Sequence, residues 1–187
     1  MIEYIEKYFD EIKDIIEAID KQSIAEFTDS ISRIKNNYGR LFFLGVGGSA
    51  ANASHAVNDF RKLLNIESYA VTDNVSELTA RINDDSWDTS YVNSLKVSRL
   101  SKNDGIVVLS VGGGNWGTSM NLIECVKYAN SIGCEVLSIV SRDGGYTGPR
   151  STCIHIPVIN EDMITPHAEE WQGILWHLIV SYLKDQI

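Results

Sequence analysis

The sequence predicts an α/β fold whose core is a mostly parallel sheet of five strands. Short apolar runs of strand length alternate along the chain with longer segments in which apolar residues have helical spacing. Two of the strands lead through glycine-rich turns into helices, and two amphipathic helices precede the first strand. This alternation is typical of a parallel sheet, because a crossover segment must carry the chain back between neighbouring strands.

Two long helices are predicted at the start of the chain. Apolar residues recur at three- and four-residue steps from Ile2 to Ile19, as in an amphipathic helix of about five turns. The same pattern continues over Ser23–Asn36. Because the two apolar stripes exceed what one sheet face needs, these helices either cover the sheet within the chain or pack partly against another subunit.

The other elements follow in alternation. Strands are predicted at 41–44, 68–72, 105–110, 135–140 and 152–158, and helices from Ser49 onward and at 75–82, 87–100, 118–132 and 165–183. The strand at Gly105–Ser110 is apolar and β-branched, as expected for a parallel strand buried on both faces. The 187 residues suit one domain, and no linker or repeat interrupts them, so a single domain over 1–187 is expected.

Charge and cysteine content exclude several kinds of partner and location. The net charge is −9, so neither a nucleic-acid backbone nor an anionic membrane surface is expected to bind. Cys125, Cys134 and Cys153 are odd in number and lack C-x-x-C spacing, as is typical of thiols in a reducing compartment. Acids run throughout Met1–Asp20, which therefore predicts neither a secretory signal nor a membrane span. A cytoplasmic location is expected.

The stretch Arg40–Lys62 concentrates the residues that could carry chemistry. A short apolar run is followed by the glycine turn Gly45–Gly48, and Ser49 opens the next helix. Such a turn directs backbone N–H groups at one point, where the helix dipole favours an anion. His55 and Asp59 are four residues apart, so they share one face of this helix and could bind a metal or exchange protons.

Two interpretations of this stretch are open. Residues 45–50 satisfy the dinucleotide fingerprint G-x-G-x-x-A, and Asp73 follows the next strand, as a ribose-binding carboxylate does. Alternatively, the glycine turn with Ser49, followed by His55, resembles the sugar-phosphate loop of the SIS (sugar isomerase) domain family, specifically the phosphoheptose isomerases. The closing segment Thr165–His177, T-P-x-x-E-x-x-Q-x(4)-H, matches the same family. The second interpretation is preferred, and no nucleotide cofactor is expected.

The resemblance covers nearly the whole chain and implies the fold, the activity and the assembly. It implies a SIS fold, which is a three-layer sandwich with a central five-stranded sheet and two leading N-terminal helices. It also implies a homotetramer and a ketose–aldose isomerase that converts sedoheptulose 7-phosphate to D-glycero-D-manno-heptose 7-phosphate for lipopolysaccharide or capsule heptose. The alternatives are a non-catalytic module that binds a sugar phosphate, or an isomerase of a different sugar phosphate.

The last helix supplies further candidate residues. Thr165 is predicted as its N-cap and Pro166 as its first residue. Glu169 and His177 point in directions that differ by roughly 80°, so both could face one cavity. The resemblance implies a zinc site formed by His55, Asp59, Glu169 and His177. It also implies His177 as a catalytic residue and, as the base, the position of Asp59, where the family has Glu. Because the family commonly has Gln at the position of Glu169, either Asp59 or Glu169 is expected to be the base in this chain.

A second glycine turn departs from the family pattern. Phosphoheptose isomerases usually read S-T-S-G-x-S where this chain has Ser110–Asn115, S-V-G-G-G-N, so three phosphate-binding hydroxyls are lost. The two glycine turns together are expected to hold the anionic end of the substrate. The expected substrate-binding residues are Gly47, Gly48, Ser49, Asn74, Ser110, Gly112, Gly113, Gly114, Asn115, Thr118, Ser119 and Gln172. His155 is interpreted as structural, and His167 as a residue of the pocket rim.

Overall fold

The computed structural model describes residues 1–186 and contains a five-stranded sheet in which all strands are parallel. The strands are β1 (Leu41–Leu44), β2 (Ser68–Ala70), β3 (Gly105–Ser110), β4 (Glu135–Val140) and β5 (Thr152–His155). The helices are α1 (Ile2–Ala18), α2 (Lys21–Asn36), α3 (Gly48–Leu64), α4 (Val75–Asp84), α5 (Trp87–Val97), α6 (Met120–Ser131) and α7 (Ile164–Asp185). The strand order is β2-β1-β3-β4-β5.

Helices cover both faces of the sheet, which confirms the predicted three-layer sandwich. Side chains alternate along each strand, so Leu41 and Phe43 pack in one apolar cluster with residues of α1, α2, α3 and α7. Phe42 and Leu44 pack in the other cluster, with residues of α5 and α6. Every residue of β1 and β3 is buried, because both faces of these central strands are covered.

The carboxyl ends of the parallel strands bring two predicted loops together. β3 pairs with β1 on one side and with β4 over its full length on the other. The glycine turn after β1 and the loop after β3 therefore leave the same edge of the sheet. Ligands of open α/β sheets bind at this edge, so the fold supports the predicted position of the site.

A partly buried ion pair stabilises the opposite edge of the sheet, where β1 and β3 begin. The guanidinium of Arg40 donates to both carboxylate oxygens of Asp104, at 3.1 and 2.9 Å, and Ser101 donates to the same group. Burial of Asp104 opposes its ionisation, but the hydrogen bonds from Arg40 and Ser101 outweigh it and lower the pKa of Asp104. This pair joins the residues that precede β1 and β3.

The start of the last helix differs from the prediction. Helix α7 begins at Ile164 with Met163 at its N-cap, so Thr165 and Pro166 both lie inside the first turn. The assignment of Thr165 as N-cap and Pro166 as the first helical residue was therefore wrong. Proline is tolerated throughout the first turn, because none of the first four N–H groups has an acceptor within the helix. A 3-10 turn over Glu161–Met163 leads directly into α7.

The other bounds differ by a few residues. β2 and β5 are shorter than predicted, and α6 begins at Met120 instead of 118, because Ser119 has a left-handed backbone with φ 58°. Within residues 1–186, no helix is both long and apolar enough to cross a membrane.

Candidate functional site

The turn from β1 into α3 is sharp and requires glycine. A Cβ at Gly45 would overlap the backbone of Ser49 and Ala50. The buried hydroxyl of Tyr91 donates to the Gly45 carbonyl at 2.8 Å, and burial raises the pKa of Tyr91 to about 12. Gly47 is the N-cap of α3 with φ 63°, which places Ser49 within the first turn.

A buried hydrogen-bond network holds α3 against α7. Gln172 has no exposed surface, and its amide nitrogen donates to Ser49 Oγ at 3.1 Å. Its carbonyl oxygen accepts from Asn52 Nδ2 at 2.9 Å, and Asn52 also donates to the Glu169 carbonyl at 2.8 Å. The nitrogen and the oxygen of the Gln172 amide thus both form hydrogen bonds between α3 and α7. The structure places Gln172 in this network and not on the surface of the cleft, where substrate contact was predicted.

Farther along the same helix pair, one carboxylate lies between two imidazoles. Asp59 is 8% exposed, and its Oδ2 lies 3.7 Å from His55 Nε2 and 3.3 Å from His177 Nε2. Trp176 donates its indole N–H to the same Oδ2 at 3.2 Å. One ligand atom from each of His55, Asp59 and His177 lies within 4.8 Å of the others, so these three residues can hold a metal ion.

The hydrogen bonding of His177 determines what its other nitrogen can do. Nδ1 lies 2.8 Å from the Gly173 carbonyl, which can only accept, so Nδ1 carries the proton. In the neutral ring Nε2 is then a lone pair that faces the Asp59 carboxylate. Two acceptors at 3.3 Å repel each other unless a proton or a cation lies between them. The donor set of His55, Asp59 and His177 therefore fits a divalent cation.

Glu169, the fourth residue of the expected set, is not a member of this group. Its carboxylate lies over the first turn of α3, where a Cβ at Gly48 would overlap it. Unpaired N–H groups and the positive end of the helix dipole favour a carboxylate at this position. All four side chains were expected to converge, but only those of His55, Asp59 and His177 do so. Glu169 lies nearer the β1–α3 turn.

A cleft of about 840 Å³ opens at the carboxyl edge of the sheet. Seven of the residues predicted to bind substrate line it: Ser49, Ser110, Gly112, Gly114, Asn115, Thr118 and Ser119. Arg142, Asp143 and Glu161 also line it, and sequence reasoning assigned none of them to the site. The signal for Arg142 and Asp143 was present, because they follow β4 at the edge where the two glycine turns end. His55, Asp59 and His177 do not line this cleft.

Gly113 serves a structural purpose and does not line the cleft. Its φ is 65°, and a Cβ there would overlap the carbonyl oxygen of Gly144. Its N–H donates to Ser110 Oγ at 3.1 Å, and its carbonyl accepts from the N–H and the hydroxyl of Thr147. The expectation that Gly113 contributes to an anion cradle is therefore wrong, because its backbone groups are already bonded within the protein.

Asn74, Gly47 and Gly48 also lie outside the cleft lining. The side chain of Asn74 accepts from Glu77 N at 3.1 Å and caps α4, so its predicted substrate contact is replaced by an N-cap. Asp73, which the dinucleotide interpretation required, accepts a hydrogen bond from Ser54 Oγ on α3.

The remaining histidines are bonded within the protein. His155 Nε2 donates to the Arg142 carbonyl at 2.7 Å, in agreement with a structural role. His167 is 3% exposed and bonds Glu11 at 2.9 Å, so it is buried between α1 and α7 instead of lying at the pocket rim. The hydrogen bond from His167 lowers the pKa of Glu11 against the opposing effect of burial.

A pair of glycine substitutions tests the role of Gly113. Gly133 has φ 70° and nothing within 4 Å of an added Cβ, so Gly133→Ala should cost only left-handed strain of about 1 to 2 kcal/mol. Gly113→Ala adds the overlap with Gly144, and should lower the free energy of unfolding by a further 1 to 3 kcal/mol, approximately. Urea unfolding measures both variants. Equal losses would contradict the assigned packing role.

Known proteins similar to this chain identify its family. The model of the SIS domain family matches residues 7–141. The phosphoheptose isomerase of Syntrophotalea carbinolica is 24% identical over 98% of this chain and 93% of its own. A protein of Thermoplasma acidophilum named "Probable phosphoheptose isomerase" is 34% identical over 66% of this chain and 68% of its own.

Solved structures share the fold. The phosphoheptose isomerase of Neisseria gonorrhoeae superposes with a TM-score of 0.84 at 21% identity, over 100% of this chain and 97% of that one. The enzyme of Francisella tularensis gives a TM-score of 0.82 at 19% identity, over 99% and 96% of the two chains. From the family match and these relatives, the chain belongs to the SIS domain family and, within it, to the phosphoheptose isomerases.

Proposed function

We propose that this protein is a ketose–aldose isomerase that converts sedoheptulose 7-phosphate to D-glycero-D-manno-heptose 7-phosphate. Its product would enter the synthesis of heptose for lipopolysaccharide or capsule. Membership of the phosphoheptose isomerases supports the substrate. The observation that carries the proposal is the Asp59 carboxylate between His55 and His177, since isomerisation needs a base and an acid side by side.

The proposed reaction moves one proton between carbons and exchanges protons between oxygens. The Asp59 carboxylate takes a proton from C1 of the open-chain ketose and returns it to C2 of the enediol. His177 donates a proton from Nε2 to O2 and recovers one from O1, so the carbonyl moves from C2 to C1 without gain or loss of atoms. Trp176 supports this role of Asp59 by fixing its carboxylate with the indole N–H.

A zinc ion is part of the proposal. Neutral imidazole nitrogens and a carboxylate oxygen are zinc ligands, and His55, Asp59 and His177 would hold it. His177 Nε2 would then bind the ion instead of a proton, so the proton donation by His177 belongs to the metal-free protein. The Gly173 carbonyl and the Trp176 indole orient two of these ligands, as outer partners do in metal sites. When bound, zinc would polarise the carbonyl oxygen of the sugar.

Replacement of Asp59 tests the activity. Wild-type protein incubated with sedoheptulose 7-phosphate should form the aldose, detected by NMR, and Asp59→Asn should lower turnover by about 10²–10⁴ because the base is lost. Asp84→Asn, on exposed α4, is the matched control and should leave turnover unchanged.

Two further results would contradict parts of this assignment. If Glu169→Gln lowers turnover by about 10²–10⁴ while Asp59→Asn retains wild-type turnover, then Glu169 is the base. If the wild-type protein binds the sugar phosphate without turnover, then it is a non-catalytic binding module and the proposed activity is wrong.

Metal binding can be measured apart from activity. The protein should bind one Zn²⁺ per chain in competition with a chromogenic chelator. His55→Gln and His177→Gln should each weaken binding at least tenfold, since loss of even an outer partner of a metal ligand costs about 10- to 100-fold. His155→Gln is the histidine control. Equal zinc affinity in wild-type protein and His55→Gln would exclude this site.

A homo-oligomer, with four subunits as the resemblance implies, is also proposed. Ile174, Leu178 and Tyr182 form an exposed stripe along α7, with exposed fractions of 45, 48 and 55%. His177 lies beside this stripe, and the side chains of His55 and His177 are 57 and 54% exposed in the single chain. A neighbouring subunit on this stripe would exclude water from the acid–base group, which strengthens its electrostatic interactions.

Light scattering tests the assembly. The purified protein should have about four times the chain mass of 20.8 kDa. Leu178→Asp should reduce the assembly, because it places a charge in an apolar interface. Val97→Asp, at an exposed position on α5, should leave the mass unchanged. A 20.8 kDa species at micromolar concentration would contradict the proposal.

A further inference from the structure

The large cleft contains a single basic side chain. Arg142 is the one Lys or Arg among its lining residues, which also include the acids Asp143 and Glu161. The carboxylate of Asp143 accepts from Gly145 N at 3.0 Å and so is used within its own loop. Within residues 1–186, the Arg142 guanidinium makes neither a hydrogen bond nor an ion pair. A cation with free donors therefore borders a cleft in a protein of net charge −9.

The backbone holds Arg142 in place at the end of β4. Ser141 donates its N–H to the Val111 carbonyl at 3.0 Å and its hydroxyl to the Ile156 carbonyl at 2.9 Å. The Arg142 carbonyl accepts from His155 Nε2 at 2.7 Å. Arg142 itself has φ 54°, in the left-handed region that costs a non-glycine residue energy. The loop after β3 and the end of β5 thus hold the backbone at Arg142.

The side chain of Arg142 lies beside the loop that lost its hydroxyls. A Cβ at Gly112 would be 3.5 Å from Arg142 Cδ and 4.0 Å from Nε. Gly112 stands where the family pattern has serine, and Val111 and Asn115 replace the other two hydroxyl residues. A guanidinium at this position presents several N–H donors in a plane, which matches the oxygens of a phosphate.

We propose that Arg142 binds the phosphate of the substrate and replaces the missing hydroxyls of the loop after β3. This inference rests on the proposed function, because it assigns one end of the same sugar phosphate. Ser110, Asn115 and Thr118 line the same cleft and supply neutral polar groups.

Kinetics of Arg142→Gln tests the inference. KM for sedoheptulose 7-phosphate should rise at least about tenfold, because a charge-assisted hydrogen bond to the phosphate is lost. Turnover should change less than about threefold, because the phosphate is remote from C1 and C2. Arg142→Lys should give an intermediate KM, since it keeps the charge but loses the planar donors.

Arg99→Gln is the matched control. Arg99 is also exposed, has φ 53°, and precedes β3 at the opposite edge of the sheet. Its substitution should leave KM unchanged. Inorganic phosphate should inhibit the wild-type protein competitively, with an inhibition constant at least about tenfold higher in Arg142→Gln. Activity on unphosphorylated sedoheptulose, where detectable, should be equal in the wild type and Arg142→Gln.

The outcomes separate the two proposals. An active wild-type protein whose KM is the same in Arg142→Gln and Arg99→Gln overturns the role of Arg142 and leaves the proposed function intact. A wild-type protein without turnover overturns the proposed activity. In that case calorimetry with sedoheptulose 7-phosphate decides the role of Arg142: weaker binding to Arg142→Gln supports it, and equal binding overturns it.

Discussion

The hydrogen bonds of Gln172 to Ser49 and Asn52 are the constraint on which the site depends. This amide is fully buried between α3 and α7, so a shift of one helix along the other would leave its polar groups unpaired. The two helices run side by side from this point. The same register places Glu169 over the start of α3 and, farther along, places Trp176 and His177 against Asp59.

The hydrogen bonds of Gln172 lie at the cleft end of α3, far from the carboxylate of Asp59. About 15 Å of helix rise separates Ser49, which lines the cleft, from Asp59, which lies between the imidazoles. One chain therefore contains the cleft, proposed to bind the phosphate, and at a distance from it the group of His55, Asp59 and His177, proposed to transfer the protons. The apolar stripe along α7 lies next to the second of these. A sugar phosphate would have to contact both the cleft and the group of His55, Asp59 and His177. Because that group lies beside the apolar stripe proposed as a subunit interface, the activity and the assembly are proposed together.

The sequence predicted the fold well and the site unevenly. Strand and helix periodicities are local, so the alternation of elements and the five-stranded sheet followed directly from them. The roles of Gln172 and Gly113 did not, because each depends on a contact with a distant segment, Ser49 in one case and Gly144 in the other. The start of α7 that was predicted from Pro166 was wrong, because proline is tolerated at more than one position of the first turn. Arg142 was missed because it lies in a loop without a binding motif, and only the packing of that loop against the loop after β3 places it at the cleft.

Close packing of glycines links the divergent loop to Arg142. A Cβ at Gly113 would overlap Gly144 O, and a Cβ at Gly145 would overlap the carbonyl oxygens of Gly112 and Gly114. The loops after β3 and β4 therefore approach closely because neither has side chains at these positions. Any side chain there would separate the loops and move Arg142, the second residue of the loop after β4, away from Gly112. These glycines thus keep the guanidinium of Arg142 beside the cleft, next to Gly112, the one glycine that stands in place of a hydroxyl residue of the family pattern.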